Sequence, residues 1–165
     1  MELFDVIEKR ASVRRYQPKL LENEKLQRIL GAMRRAPSAV NRQKWIFCAA
    51  VSPEIKAQIA QATSFDWVNN AGAIIAVCGT DCGMMTNSHR SDTVDLSIAL
   101  TFGMLAAEDL GLGSCWIAHY EEPALKAILG LPEECSVASI LTVGYPDESP
   151  APRARKPLED IVRIL

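Results

Sequence analysis

The sequence predicts a single layered domain in which helices and buried β-strands intermingle, an α+β or α/β fold. Two short apolar runs, 45–51 (WIFCAAV) and 73–78 (AIIAVC), have the length and composition of buried strands. The segment 92–110 is long and apolar on most sides, which is typical of a central helix covered by other elements. At 165 residues the chain can bury a sizeable core in one domain, and it contains no internal repeat.

The other elements follow in chain order from periodicity and turn residues. Leu3, Val6 and Ile7 predict a short first helix, and apolar residues at helical spacing predict a second helix over 22–35, ended by Pro37. A helix over 53–62 begins at a proline, and Gly111 ends the long helix. The remaining predicted elements are a polar loop at 81–91, strands at 114–118 and 137–143, a helix at 123–129 and an extended arm at 145–157.

Composition excludes several classes of protein. The net charge of −2 and a pI near 5.7 argue against a nucleic-acid binder, which would be broadly basic. An odd number of scattered cysteines is typical of a reducing compartment rather than a disulfide framework; they are Cys48, Cys78, Cys82, Cys115 and Cys135. Because no signal pattern precedes the first helix and no apolar run reaches membrane-spanning length, we expect a cytoplasmic protein.

The run 10–16 (RASVRRY) contains the first candidate binding residues. In an extended stretch alternate residues share a face, so Arg10, Ser12 and Arg14 can point the same way. Two guanidinium groups with a hydroxyl between them suit a phosphate, because each planar group can donate two parallel hydrogen bonds. The alternative is a solvated basic surface near the N-terminus.

The run 36–45 (APSAVNRQKW) contains the second candidate group. Pro37 and Ser38 predict a turn, and the amides of Asn41 and Gln43 can both donate to and accept from the edge of a heterocycle. An ordinary loop after a helix is the alternative. Together, a phosphate site and a ring-edge site are what a nucleotide-like cofactor requires.

The patterns R-x-S-x-R and A-P-S-x-x-N-x-Q-x-W resemble the FMN-dependent nitroreductase family. The likeness continues through 95–117 and into the tail at 144–146 and 153–157, so it spans nearly the whole chain. It implies an α+β three-layer sandwich with a central, mostly antiparallel sheet flanked by helices. It also implies an intertwined homodimer with FMN at the subunit interface, and a C-terminal arm over 146–165 that embraces the partner.

The resemblance also implies which residues bind FMN. They are Arg10, Ala11, Ser12, Arg14, Pro37, Ser38, Ala39, Asn41, Ala118, His119, Arg153 and Arg155. Arg10 and Ser12 hold the phosphate, and Arg14 reaches the ribityl and pyrimidine side. Arg153 and Arg155, in the tail, close on the same phosphate. The loop 37–41 lies along the isoalloxazine, typically of the other subunit, and residues 118–119 face N5 and O4. His119 is either a structural histidine or a polar contact that selects substrate.

The resemblance implies an oxidoreductase that takes a hydride from NADH or NADPH and reduces nitroaromatics, quinones or similar electrophiles in ping-pong order. Acid–base residues are few, which fits chemistry carried by FMN N5 rather than by a catalytic side chain. Same-fold dehydrogenase, dehalogenase or flavin-fragmenting chemistry remains open, as does a non-catalytic flavin-binding protein.

Three other interpretations are weaker. Gly111 and Gly113 follow a helix, whereas a dinucleotide fingerprint opens one. Cys78, Cys82 and His89 lack a fourth metal ligand, so we expect no metal site. A Cys–His hydrolase would need a nucleophile elbow, and none is present.

Overall fold

The computed structural model describes residues 2–80, 83–151 and 153–165. Asp81 and Cys82 of the predicted loop and Pro152 of the predicted arm therefore lie outside the described residues. The helices are α1 (Leu3–Lys9), α2 (Asn23–Met33), α3 (Pro53–Thr63), α4 (Ser91–Asp109) and α5 (Glu122–Leu129). The strands are β1 (Trp45–Ala50), β2 (Ala73–Gly79), β3 (Gly113–Ile117) and β4 (Ser136–Gly144). Short 3₁₀ turns lie at Ala39–Asn41, Asp66–Asn70 and Leu158–Asp160.

The four strands form one sheet in the order β1-β2-β4-β3, and every neighbouring pair is antiparallel. This confirms the α+β class and the predicted antiparallel sheet. A register shift in the β2–β4 pairing falls between Val77 and Cys78. The order places β3 and β1 at the two edges, with the buried strands β2 and β4 between them.

Side chains of β2 alternate between two cores, one on each face of the sheet. Ile74 and Ala76 join a cluster that includes Ile59 of α3 and Leu125 of α5. The intervening side chains of β2 join a second cluster with α2 and α4; its members include Ile29, Ile75, Val77, Leu100 and Leu141. Because helices cover both faces, the molecule has three layers, as predicted.

Local signals account for several helix ends. Ser52 caps α3 by accepting a 3.3 Å hydrogen bond from the amide of Ile55, and a proline follows it at the first helical position. Gly111, with φ of +71°, follows α4 in the left-handed conformation that glycine adopts without strain. The predicted elements therefore match the observed ones within a few residues.

The structure adds two details that the sequence did not predict. The turn Asp66–Asn70 was not expected, and the described part of the 81–91 loop is a tight reversal in which Met84 pairs with Arg90. Across this reversal the amide of Met85 donates to the carbonyl of His89 at 2.8 Å. Within the described residues, no helix is long and apolar enough to cross a membrane.

Candidate functional site

The segment 10–16 lies along the outer edge of β3. Ser12 pairs in parallel with Ser114, and the amide of Val13 donates a 2.9 Å hydrogen bond to the Ser114 carbonyl. This approach depends on Gly113, since a Cβ there would lie 2.8 Å from the Cβ of Val13. A strand that begins with glycine therefore lets the arginine-bearing segment dock against the sheet.

Arg10, Ser12 and Arg14 lie on the segment that runs beside β3, and β3 carries the buried Cys115 thiol. Burial raises the pKa of this thiol, while Arg14, Ser12 and Arg10 each act to lower it. The three residues therefore all contribute to the electrostatic environment of this one thiol. Within the described residues neither guanidinium forms an ion pair, so both can donate to an anion.

The C-terminal arm begins by bonding to the same segment. A carboxylate oxygen of Glu148 accepts hydrogen bonds from the amides of Arg14, at 2.6 Å, and Arg15, at 3.1 Å. These backbone bonds, above all the one from Arg14, hold the pKa of Glu148 below its usual value. The side chain of Arg15 is instead held by the arm, because its Nε donates to the carbonyl of Asp147 at 2.8 Å. The arm therefore fixes the backbone that carries Arg14.

The buried ring of Tyr16 closes the segment at its far end. Its hydroxyl donates to the carbonyl of Val13 and shares a second hydrogen bond with the Thr142 hydroxyl, each at 2.8 Å. Desolvation raises the pKa of this phenol well above its ordinary range, so it stays protonated. The Tyr16 hydroxyl thus links segment 10–16 to β4 through Thr142.

The predicted ring-edge loop, 37–41, is held next to α4. The amide of Ala39 donates to both carboxylate oxygens of Asp95, at 3.0 and 3.1 Å. Pro37 and Asn41 are exposed, whereas Ser38 and Ala39 are half-buried. The role of Asp95 was missed, because a carboxylate on a helix 56 residues away gives no local signal.

Ala118 and His119 come directly after β3, and both are exposed. The His119 ring lies 5.4 Å from the Phe65 ring, and Phe65 stacks on Trp67 at 6.1 Å, centroid to centroid. Phe65 and Trp67 were not predicted as site residues, since aromatics just before a buried strand are ordinary in sequence. The structure groups them with His119 as an aromatic cluster.

Both tail arginines are exposed, and the side chain of Arg155 turns towards its own backbone. The guanidinium of Arg155 donates to the carbonyls of Arg153 and Ala154, at 3.4 and 3.5 Å. The described contacts do not join Arg153 or Arg155 to residues 10–14, so their place in a shared phosphate site stays a prediction. Among the described residues no group of three His, Cys, Asp or Glu side chains could hold a metal ion.

Comparisons with known proteins identify what the chain resembles. The sequence profile of the family described as "Nitroreductase family" matches residues 7–73 and 60–145. An Archaeoglobus fulgidus protein named as an NADH dehydrogenase/NAD(P)H nitroreductase is 34% identical over 152 residues, covering 89% of this chain and 87% of that protein.

Two crystal structures extend the likeness to the fold. A nitroreductase family protein of Clostridium novyi NT superposes with a TM-score of 0.84 at 29% identity, covering 90% of this chain and 87% of that one. An FMN-dependent nitroreductase of Clostridium difficile R20291 superposes with a TM-score of 0.85 at 27% identity, covering 98% of each chain. Each of these proteins is similar to this chain over nearly its whole length.

Proposed function

The chain belongs to the nitroreductase family, and on that premise we propose that it is an FMN-dependent oxidoreductase that uses NADH or NADPH. The observation that carries the proposal is the docking of the segment that bears Arg10, Ser12 and Arg14 against the edge of β3. A guanidinium group and a hydroxyl, from Arg10 and Ser12, can donate to a phosphate monoester, and Arg14 adds a second positive charge two residues further along. The residues present therefore fit the phosphate end of FMN.

The remaining site residues support the rest of the cofactor. Ala118 and His119 follow the carboxyl end of β3, and β3 is the strand against which segment 10–14 docks. The loop 37–41 offers exposed polar groups on a firmly anchored backbone. Arg153 and Arg155, on the exposed tail, supply two more cations that a phosphate would attract.

Bound FMN would supply the redox chemistry, accepting a hydride from NAD(P)H and delivering it in ping-pong order to a nitroaromatic, a quinone or a similar electrophile. The protein's part is binding and electrostatics. Arg10 and Ser12 hold the phosphate, and Arg14, fixed through its amide by Glu148, places a positive charge where the reduced ring is negative. Residues 118–119 position the ring and the second substrate.

An absorption spectrum tests this proposal directly. We expect the purified protein to be yellow, or to gain flavin absorbance on titration with FMN, and to bleach when NADH or NADPH is added without oxygen. A colourless protein that does not bind added FMN would overturn the proposal. Bound flavin that nicotinamide reduces no faster than free FMN would indicate a flavin-binding protein without this activity.

Substitution of Arg10 tests its assignment to the phosphate. Arg10→Ala should weaken FMN binding by about tenfold or more, because a charge-assisted hydrogen bond contributes roughly 1.5–3 kcal/mol. The rate of hydride transfer at saturating FMN should change much less. Arg28→Ala, which removes one positive charge from the exposed surface of α2, is the matched control and should leave FMN affinity unchanged. The opposite pattern, with affinity intact and the rate reduced, would contradict the assignment.

We also propose a homodimer with FMN at the subunit interface. Large apolar side chains are exposed on α1 and at the end of the chain: Leu3, Phe4, Ile7, Leu158, Ile161, Val162, Ile164 and Leu165. Exposed apolar surface of this kind marks an interaction site. Within the described part of the chain β1 pairs only with β2, so its outer edge is open to a further strand.

Sedimentation equilibrium measures the oligomeric state. We expect a dimer for the full chain, and a shift towards monomer with weaker FMN binding when residues 158–165 are removed. Because a monomer would lack the loop that the partner is proposed to supply, both changes should occur together. A full-length chain that is monomeric with FMN bound would contradict the dimer.

A further inference from the structure

The loop that follows α2 has an unusual backbone. Three of its residues other than glycine lie in the left-handed region: Val40 at φ 52°, Asn41 at φ 54° and Gln43 at φ 53°. For a β-branched residue such as valine this conformation is strained, and it persists only where the surroundings impose it. Val40 is also 85% exposed, so burial of its side chain within this subunit does not compensate the strain.

Hydrogen bonds inside the loop fold it into a compact turn. The amide of Asn41 donates to the Ser38 carbonyl at 2.8 Å, and the amide of Gln43 donates to the Ser38 hydroxyl at 3.1 Å. These bonds set the shape of the loop, but they do not set its position on the protein. Asn41, at the outer end, remains exposed.

Asp95 ties this loop to the core. It lies on α4, the longest helix, and is 8% exposed, while both of its carboxylate oxygens accept from the Ala39 amide at 3.0 and 3.1 Å. A charged acceptor makes this bond stronger than a bond between neutral groups. A buried carboxylate on a packed helix is therefore the anchor for a strained, outward-facing turn.

We propose that Asp95 is a positioning residue that holds the loop 38–43 so that Asn41 contacts the flavin. The inference rests on the proposed function, since it assigns Asp95 a task at that same cofactor site. Asp95 acts through the Ala39 amide and does not itself touch the ring. Its effect on FMN binding consequently depends on Asn41 being present.

A double-mutant cycle between Asp95 and Asn41 measures this dependence. We expect Asp95→Ala to weaken FMN binding by about tenfold, the scale of one charge-assisted hydrogen bond. In the Asn41→Ala background the same change should have a clearly smaller effect, about threefold or less. Asp95→Asn keeps an oxygen that can accept from Ala39, so it should recover most of the affinity and the visible circular dichroism of bound flavin.

Asp92 provides the matched control. It is a buried carboxylate three residues earlier on α4, and it bonds to Arg90 and Ser136 rather than to the loop. Asp92→Ala should disturb the fold without coupling to Asn41, so its effect on FMN affinity should be the same in both backgrounds. If Asp95→Ala does not fold, Asp95→Asn takes its place in the cycle, with an expected loss of about twofold to threefold that again depends on Asn41.

The outcomes separate this inference from the proposed function. Wild-type protein that binds no FMN would overturn the proposed function. Wild-type protein that binds FMN, with an Asp95→Ala variant that binds equally tightly, would overturn only the role of Asp95. An affinity loss of the same size with and without Asn41 would also overturn it, because Asp95 would then act through general stability.

Discussion

The docking of segment 10–16 against β3 depends on Gly113, and Gly113→Ala tests that dependence. A Cβ at this position would lie 2.8 Å from Cβ and Cγ2 of Val13, about 0.6 Å closer than the 3.4 Å at which ordinary contact begins. Val13 cannot move away easily, because it is buried and its amide is bonded to Ser114. Overpacking of this kind costs about 1–3 kcal/mol. We therefore expect the free energy of unfolding to fall by roughly 2 kcal/mol.

Three further variants make the test specific. Val13→Ala removes the two methyl groups that the new Cβ would meet but keeps the Cβ of residue 13. The double variant should therefore recover part of the loss and be more stable than the sum of the single effects by about 1 kcal/mol. Gly31→Ala makes the same chemical change within α2, where a Cβ meets nothing within 4 Å. Because alanine is the better helix former, this control should gain about 0.5–1 kcal/mol.

Urea unfolding followed by circular dichroism measures all four variants against wild type at one protein concentration, since association changes apparent stability. FMN titration should show weaker binding for Gly113→Ala, because the displaced segment carries Arg10 and Ser12. The reasoning would be refuted if Gly113→Ala were as stable as wild type. It would also be refuted if Val13→Ala gave no relief in the double variant.

Three other substitutions test separate contacts. Tyr16→Phe removes the hydroxyl that donates to the Val13 carbonyl. Urea unfolding should show that the free energy of unfolding falls by about 1 kcal/mol. An unchanged urea midpoint would show that this hydrogen bond does not stabilise the protein. Val40→Gly relieves left-handed strain at an exposed residue, so thermal unfolding should show that the free energy of unfolding rises by about 1 kcal/mol. A fall in that free energy would mean that a partner buries the valine side chain. Amide bonds lower the pKa of Glu148 below its ordinary 4.5, so its contribution to stability is complete above that pH and is lost as the pH falls through the lowered pKa. The stability difference between wild type and Glu148→Gln should therefore shrink in acid, and a difference independent of pH would count against this account.

Elements whose signals are local could be predicted from the sequence. The run AIIAVC has no polar residue because both faces of β2 are covered, so its burial was visible in composition alone. Ser52 and the proline after it mark the start of α3 in the same way, and Gly111 marks the end of α4. Alternation also predicts that segment 10–14 presents alternate residues on one side, and the segment does pair with β3 through Ser12 and Val13.

Features that depend on distant residues could not be predicted in this way. The strand order β1-β2-β4-β3 follows from packing that no single segment encodes. Glu148 meets Arg14 across 134 residues of sequence, and Asp95 meets Ala39 across 56. Val40 contradicts its own preference, since a β-branched residue predicts an extended backbone and the structure holds it at φ 52°. Local preference was overridden there by hydrogen bonds within the turn and by its anchor on α4.

The anchors explain how exposed side chains can form a specific binding site. Arg14 and Asn41 are exposed, and long side chains lose rotamer freedom when a ligand orders them. The backbone amide of Arg14 is already bonded to Glu148, and that of Ala39, two residues before Asn41, is bonded to Asp95. The backbone entropy, about 1–2 kcal/mol per residue, has therefore been lost on folding and need not be lost again on binding. Under the proposed function, the two carboxylates would strengthen binding without contacting the ligand, because they fix the backbone that carries Arg14 and Asn41.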